Sequence, residues 1–206
     1  MKKVIHQSIK EIFETFFNKE TYTDIIFRDD DINFLTDLDQ FKRVDSLFKL
    51  YKVDHTIAVI AKDIDKNQDL VKYIKENPHI KVQLHAWQHV DFTKMDESKL
   101  TEHFTMGINK LTEVFGIKPT TWYPPWNRTN SFVNSVAIKC NLIPSWKQTS
   151  LMYYVQRNSV VYDIKNKVQN AHRLDFGVIN FHYWADSDMM FLDPALENYA
   201  NSRSHR

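Results

Sequence analysis

Three consecutive carboxylates, Asp29-Asp30-Asp31, close the apolar run Ile25-Ile26-Phe27-Arg28. Adjacent carboxylates repel one another, so a fold that gathers them offsets the charge with a cation, either a basic side chain or a metal. Alone, such a triplet is more often a solvated turn. A second cluster, His85-Ala86-Trp87-Gln88-His89, also follows an apolar run. Histidines four apart can present two imidazoles on one side of a helical turn or compact loop, a spacing suited to a divalent metal; the ordinary alternative is a hydrogen-bonded core histidine. An aspartate from another strand end would complete a His-His-Asp site with positions left for water and substrate. Zn²⁺ is the first expectation, and Co²⁺, Mn²⁺, Ni²⁺ or Fe²⁺ suit the same donors. A metal so held lowers the pKa of a water and polarises a carbonyl. A neighbouring carboxylate that does not bind the metal could take the water's proton, and His182, after another apolar run, could protonate a leaving amine.

These groups act together only if the chain brings their segments to one face. Apolar spacing predicts an amphipathic packing helix within residues 1–20 and a strand over 24–28 that ends at the aspartates. Next come a helix capped by Asp37 or Asp39 and bearing Leu38, Phe41, Val44, Leu47, Phe48 and Tyr51, then a strand over 55–61. A helix over 68–76, broken by Pro78, leads to a strand over 80–84 that ends at His85. A long helix over 97–115 is closed by Gly116 and Pro119 and precedes a strand over 120–123 ending in Pro124-Pro125-Trp126-Asn127. A helix over 130–140 and short strands over 142–144, 159–162 and 176–181 follow, the last reaching His182, with a frayed tail over 198–206. Repeated strand-then-helix units predict an α/β fold with a parallel sheet, and about seven of them predict a distorted (β/α)₇ barrel in a single domain spanning 1–206. Every candidate segment lies just after a strand, and the carboxyl ends of parallel strands share the face on which α/β active sites are built.

The bulk properties narrow the class. With 27 basic and 26 acidic residues, a net charge of +1 and no basic stripe, nothing favours nucleic acid. No stretch is apolar enough to span a bilayer and no secretory leader is evident, so the expectation is a cytoplasmic protein with no membrane partner. Cys140 is the one cysteine, which excludes an internal disulfide, and it reads as a buried thiol. His55, His79, His103 and His172 lack motif partners and read as scaffold residues.

Four segments in order, Phe27-Arg28-Asp29-Asp30-Asp31-Ile32, Gln83-Leu84-His85-Ala86-Trp87-Gln88-His89, Tyr123-Pro124-Pro125-Trp126-Asn127-Arg128 and Ile179-Asn180-Phe181-His182, resemble the motifs of the polysaccharide deacetylases, the family 4 carbohydrate esterases. The resemblance runs from about residue 24 to 182 and implies a distorted (β/α)₇ barrel. It implies an enzyme that removes acetyl groups from N-acetylated, sometimes O-acetylated, saccharides at an Asp-His-His metal site. By motif position it makes Asp31, His85 and His89 the metal ligands, Asp30 the general base, His182 the general acid and the Trp126 N–H an oxyanion donor. The triplet also allows a register of Asp29 and Asp30, with Asp30 and Asp31 preferred. Tyr123, Pro125, Trp87, Arg28 and Trp184 are expected to line the substrate groove, the aromatics by stacking on sugar.

The chain departs from the family pattern in three places. Tyr123 stands where an arginine usually orients the catalytic aspartate, Asn127 stands where a glycine follows the aromatic, and the Asp-Trp pair that supports the acid histidine is not evident. Arg28 or Arg128 could supply the missing cation, and Trp146 and Asp175 the missing pair. The readings kept open are a saccharide deacetylase, a metal-dependent amide or ester hydrolase with a non-polymeric substrate, and a catalytically silent carbohydrate-binding protein.

Overall fold

The computed structural model describes residues 25–144 and 177–203. Its strands are β1 (Ile25–Ile32), β2 (His55–Ile60), β3 (Ile80–Ala86), β4 (Thr121–Trp122), β5 (Ile143–Pro144) and β6 (Gly177–Phe181), hydrogen-bonded in the order β5-β4-β3-β2-β1-β6. The helices are α1 (Leu38–Tyr51), α2 (Gln68–Glu76), α3 (Glu97–Phe115), α4 (Ser131–Lys139) and α5 (Asp186–Arg203). β4 pairs parallel with β3 through Leu84 and Trp122, and with β5 through Thr121–Ile143 and Trp122–Pro144. The helix expected within 1–20, the strand over 159–162, and Trp146, His172 and Asp175 lie outside the described residues.

Two compact units divide the described chain. The first comprises residues 29–38 and 56–144. Its helices start where short polar side chains satisfy first-turn N–H groups: Asn67 accepts from Leu70, Asp96 from Lys99 and Asn130 from Val133. α3 ends at Gly116, whose φ of 71° suits a residue without Cβ and whose N–H closes on the Thr112 carbonyl. Leu100, Phe104, Gly107, Ile108, Leu111 and Phe115 form its buried stripe. Gly107 lets the helix approach β3 closely, since a Cβ there would lie 2.6 Å from the Leu84 Cδ1. Trp122 is fully buried, edge-on to Phe104 at 4.9 Å and beside Phe92 at 5.4 Å. Burying side chains of this size contributes about 1.5–3 kcal/mol each.

The second unit comprises residues 25–28, 39–55 and 177–203. Phe41, Val44, Asp45 and Phe48 are the buried positions of α1. His55 lies parallel to Phe48 at 4.1 Å, stacks with Phe41 and Phe181, and pairs with the Asp45 carboxylate at 3.0 Å, so its reading as a scaffold histidine acquires a mechanism. Asp39 lies inside the first turn of α1 rather than at its cap.

Three boundaries differ from expectation for physical reasons. β1 continues through the aspartates to Ile32 because Asp29 and Asp30 are themselves buried and the fully buried Ile32 extends the core beyond them. β3 runs to Ala86, so His85 is a strand residue, not one past the strand. The frayed tail expected from residue 198 is helical as far as Arg203, since buried Leu192, Ala195, Leu196 and Tyr199 give α5 an apolar stripe.

Candidate metal centre

In a regular strand Asp29 and Asp31 would share one face and Asp30 the other. That alternation breaks at Asp31, whose φ is 66°. A left-handed residue with a Cβ costs about 1 kcal/mol or more, and Asp is among the few that adopt it. The next residues form a polar knot: the Asn33 Nδ2 donates to the Asp31 carbonyl at 2.7 Å, and its Oδ1 accepts from the Leu35 N–H at 2.8 Å.

His85 is fixed from both sides. Its backbone carbonyl accepts from the buried Trp122 indole N–H at 3.0 Å, and its Nδ1 donates to the Tyr123 carbonyl at 2.7 Å. This cross-lock holds the ends of β3 and β4 together. The loop after β3 is tied to the end of β2, since the N–H groups of Ala61 and Lys62 donate to the carbonyls of Ala86 and Trp87. That loop carries the half-buried His89, whose ring meets the Trp126 ring edge-on at 4.3 Å.

Asp31 Oδ1 lies 3.2 Å from His85 Nε2 and 3.2 Å from His89 Nε2. One donor atom from each of the three residues falls within 4.8 Å of the others. The donor set fits a divalent cation. A backbone carbonyl only accepts, so Nδ1 of His85 carries the hydrogen, and a neutral ring then turns an unprotonated Nε2 toward the carboxylate. Lone pairs so close repel unless a proton or a cation lies between them. Burial works against ionisation of Asp31, but hydrogen bonds and charge from His85 and His89 outweigh it and hold the carboxyl well below the usual carboxylate range.

The Pro124-Pro125-Trp126 segment borders this cluster. Trp126 and Asn127 have φ of 53° and 55°, and the N–H groups of Asn127 and Arg128 close turns on the carbonyls of Pro124 and Pro125. These turns do not use the Trp126 N–H. The Trp126 side chain is 56% exposed, with the Arg128 guanidinium 5.8 Å from its ring centre. Arg128 also faces Asp91 at 3.5 Å, so its carboxylate neighbour in the structure is Asp91.

The remaining expected site residues fall as follows. Asp30 is buried beside Asp31 in sequence. Tyr123 is buried, with its backbone carbonyl accepting from His85 Nδ1; Pro125 and Arg28 are buried too, and Trp87 is half-buried. In the other unit, Asp188 Oδ2 accepts from both the backbone N–H and the Nδ1 of His182, at 2.9 and 3.0 Å, and Trp184 is half exposed with its ring 4.9 Å from that of His182. Asp188, Asn33 and the Trp122 indole were missed in the sequence. The signal for Asp188 was an acidic residue six positions after His182, at the start of a helical stretch.

A family model described as polysaccharide deacetylase matches residues 29–143. Among solved structures, a family 4 carbohydrate esterase from Streptomyces lividans in complex with acetate is 13% identical with a TM-score of 0.64, covering 87% of this chain and 88% of that chain. The peptidoglycan deacetylase PdaC from Bacillus subtilis is 15% identical with a TM-score of 0.61, covering 87% and 84%. A wild-type CE4 family pseudoenzyme from Bacillus anthracis is 13% identical with a TM-score of 0.61, covering 88% and 62%. At these identities the likeness concerns the fold, and it shows the expected α/β fold of the family 4 carbohydrate esterases. No curated protein matches the chain significantly.

Proposed function

We propose, from the premise that this chain belongs to the polysaccharide deacetylase family, that it is a metal-dependent hydrolase removing acetyl groups from N-acetylated saccharides. The observation that carries the reading is the convergence of Asp31, His85 and His89, with His85 oriented by a backbone carbonyl. Asp31, His85 and His89 would hold the ion, with Zn²⁺ the first choice for two imidazoles and a carboxylate. When bound, a divalent cation supplies a Lewis acid that polarises the acetyl carbonyl and acidifies water.

The chain's own groups supply the rest. Asp30, buried next to the ligand, takes the proton from the attacking water. The Trp126 N–H, unused by its own turns, donates to the developing oxyanion, a contribution of about 3 kcal/mol where such donors are preorganised. By its motif position, His182 is the candidate acid for the leaving amine. Its Nδ1–H is committed to Asp188, which assigns the transferable proton to Nε2. Asp188 thus takes the part of the acid-supporting aspartate for which the sequence offered Asp175.

A second reading, a silent carbohydrate-binding member, is favoured by Tyr123: its buried phenol replaces the arginine that orients the base in the family pattern. Acetate release from N-acetylated oligosaccharides separates the two. The deacetylase reading expects release that chelator abolishes and Zn²⁺ restores. Saccharide binding by a fully metal-loaded chain, with no acetate from any acetylated sugar, leaves the silent reading standing.

A further inference from the structure

We infer that Asn33 and Asn67 are positioning residues that aim the Asp31 carboxylate at the two histidines. The inference rests on the reading of Asp31, His85 and His89 as metal ligands, and it concerns what sets the ligand's direction. Asp31 sits at φ 66°, a conformation that turns its side chain out of the strand alternation. Leu35, at the tip of the following loop, is 76% exposed, so apolar packing of that side chain does not fix the loop.

Hydrogen bonds take that part. All four polar groups of Asn33 are engaged: Nδ2 donates to the Asp31 carbonyl, Oδ1 accepts from the Leu35 N–H, the backbone N–H donates to Thr36 Oγ1, and the backbone carbonyl accepts from the Thr36 N–H. The Asn67 Nδ2 then reaches the carbonyls of Phe34 at 3.2 Å and Thr36 at 3.0 Å, while its Oδ1 caps α2 by accepting from the Leu70 N–H at 3.2 Å. A continuous path therefore runs from the start of α2, through Asn67, residues 34–36 and Asn33, to the backbone of Asp31. Both amides are irreplaceable by a carboxylate in the same sense: each must donate to a carbonyl with one atom and accept an N–H with the other.

The test uses Asn33→Asp and Asn67→Asp, which keep size and the acceptor atom but lose the donor and set a carboxylate oxygen against a carbonyl. Metal-free full-length chain is titrated with Co²⁺, following heat and the visible d–d bands, with circular dichroism to establish folding. Both variants should bind Co²⁺ roughly 10–100-fold more weakly than wild type, with altered d–d bands. A purely structural role would lower melting temperature and leave the affinity and bands of the folded protein unchanged, and that result overturns the inference. If Asn33→Asp does not fold, Asn67→Asp, with its helix cap intact, carries the test. A wild-type chain that takes up no Co²⁺ overturns the metal reading and this inference together, whereas wild-type binding matched by both variants overturns this inference alone.

Discussion

Asp31 and Asp30 are neighbours with opposite expected fates. Asp31→Ala removes the oxygen that faces both imidazoles, so calorimetric titration should detect no Zn²⁺ binding; Asp30→Asn should retain Zn²⁺ and lose acetate release by roughly 10²–10⁴-fold, the range of a general base. The reverse pattern would transfer the ligand to Asp30. Asp31 also implies an acid limb. Its folded pKa lies below the ordinary value of 3.8, so its stabilising contribution is fully present above that pH and disappears as pH falls through the folded value. Acid titration of the metal-free chain should show Asp31→Asn losing stability less steeply below about pH 4 than wild type. An identical acid limb in both would show that the two histidines do not stabilise this carboxylate.

The site depends on how closely elements approach. Gly107 is the position on α3 where a Cβ would collide with Leu84, the residue before His85. Gly107→Ala gains about 1 kcal/mol in helix propensity and loses about 1–3 kcal/mol in overpacking, so urea denaturation should report a net loss of around 1 kcal/mol. A net gain would mean that Leu84 repacks without cost. In the other unit, the Tyr51 hydroxyl at the end of α1 donates to Asp193 on α5 at 2.8 Å. Burial, then the hydrogen bond and charge of Asp193, push this phenol up to about 12. A raised folded pKa means stability that is present below the ordinary value near 10 and lost as pH rises through about 12. Absorbance titration of tyrosinate should show a phenol titrating near 12 in wild type that is missing in Tyr51→Phe.

At the scale of the whole chain, the proposed metal centre predicts a link between metal and stability. Binding to the folded state alone adds about 2.7 kcal/mol when free Zn²⁺ is a hundredfold above its Kd, or roughly 5–10 °C for a domain of this size. Scanning calorimetry should show that rise in wild type, its loss in chelator and its absence in Asp31→Ala. No helix among the described residues is long and apolar enough to cross a membrane.

Local pattern made much of this legible. Periodic apolar positions marked α1, Pro78 and Gly116 marked the ends of α2 and α3, and the four ordered motifs carried the family and the ligand candidates, because motif chemistry and helix signals are written over a few adjacent residues. What depends on contacts distant in sequence was not legible. Buried aspartates inside β1, the carbonyl of Tyr123 turning the His85 ring, the Asp188 carboxylate behind His182 and the amide path from Asn67 to Asp31 all pair groups that only folding brings together. The sequence therefore determined which side chains could ligate a metal and near which strand ends they stand. The tertiary structure decided where the Asp31 carboxylate stands, 3.2 Å from each histidine, because the direction of a side chain at a left-handed backbone angle is set by the folded chain and not by residue type.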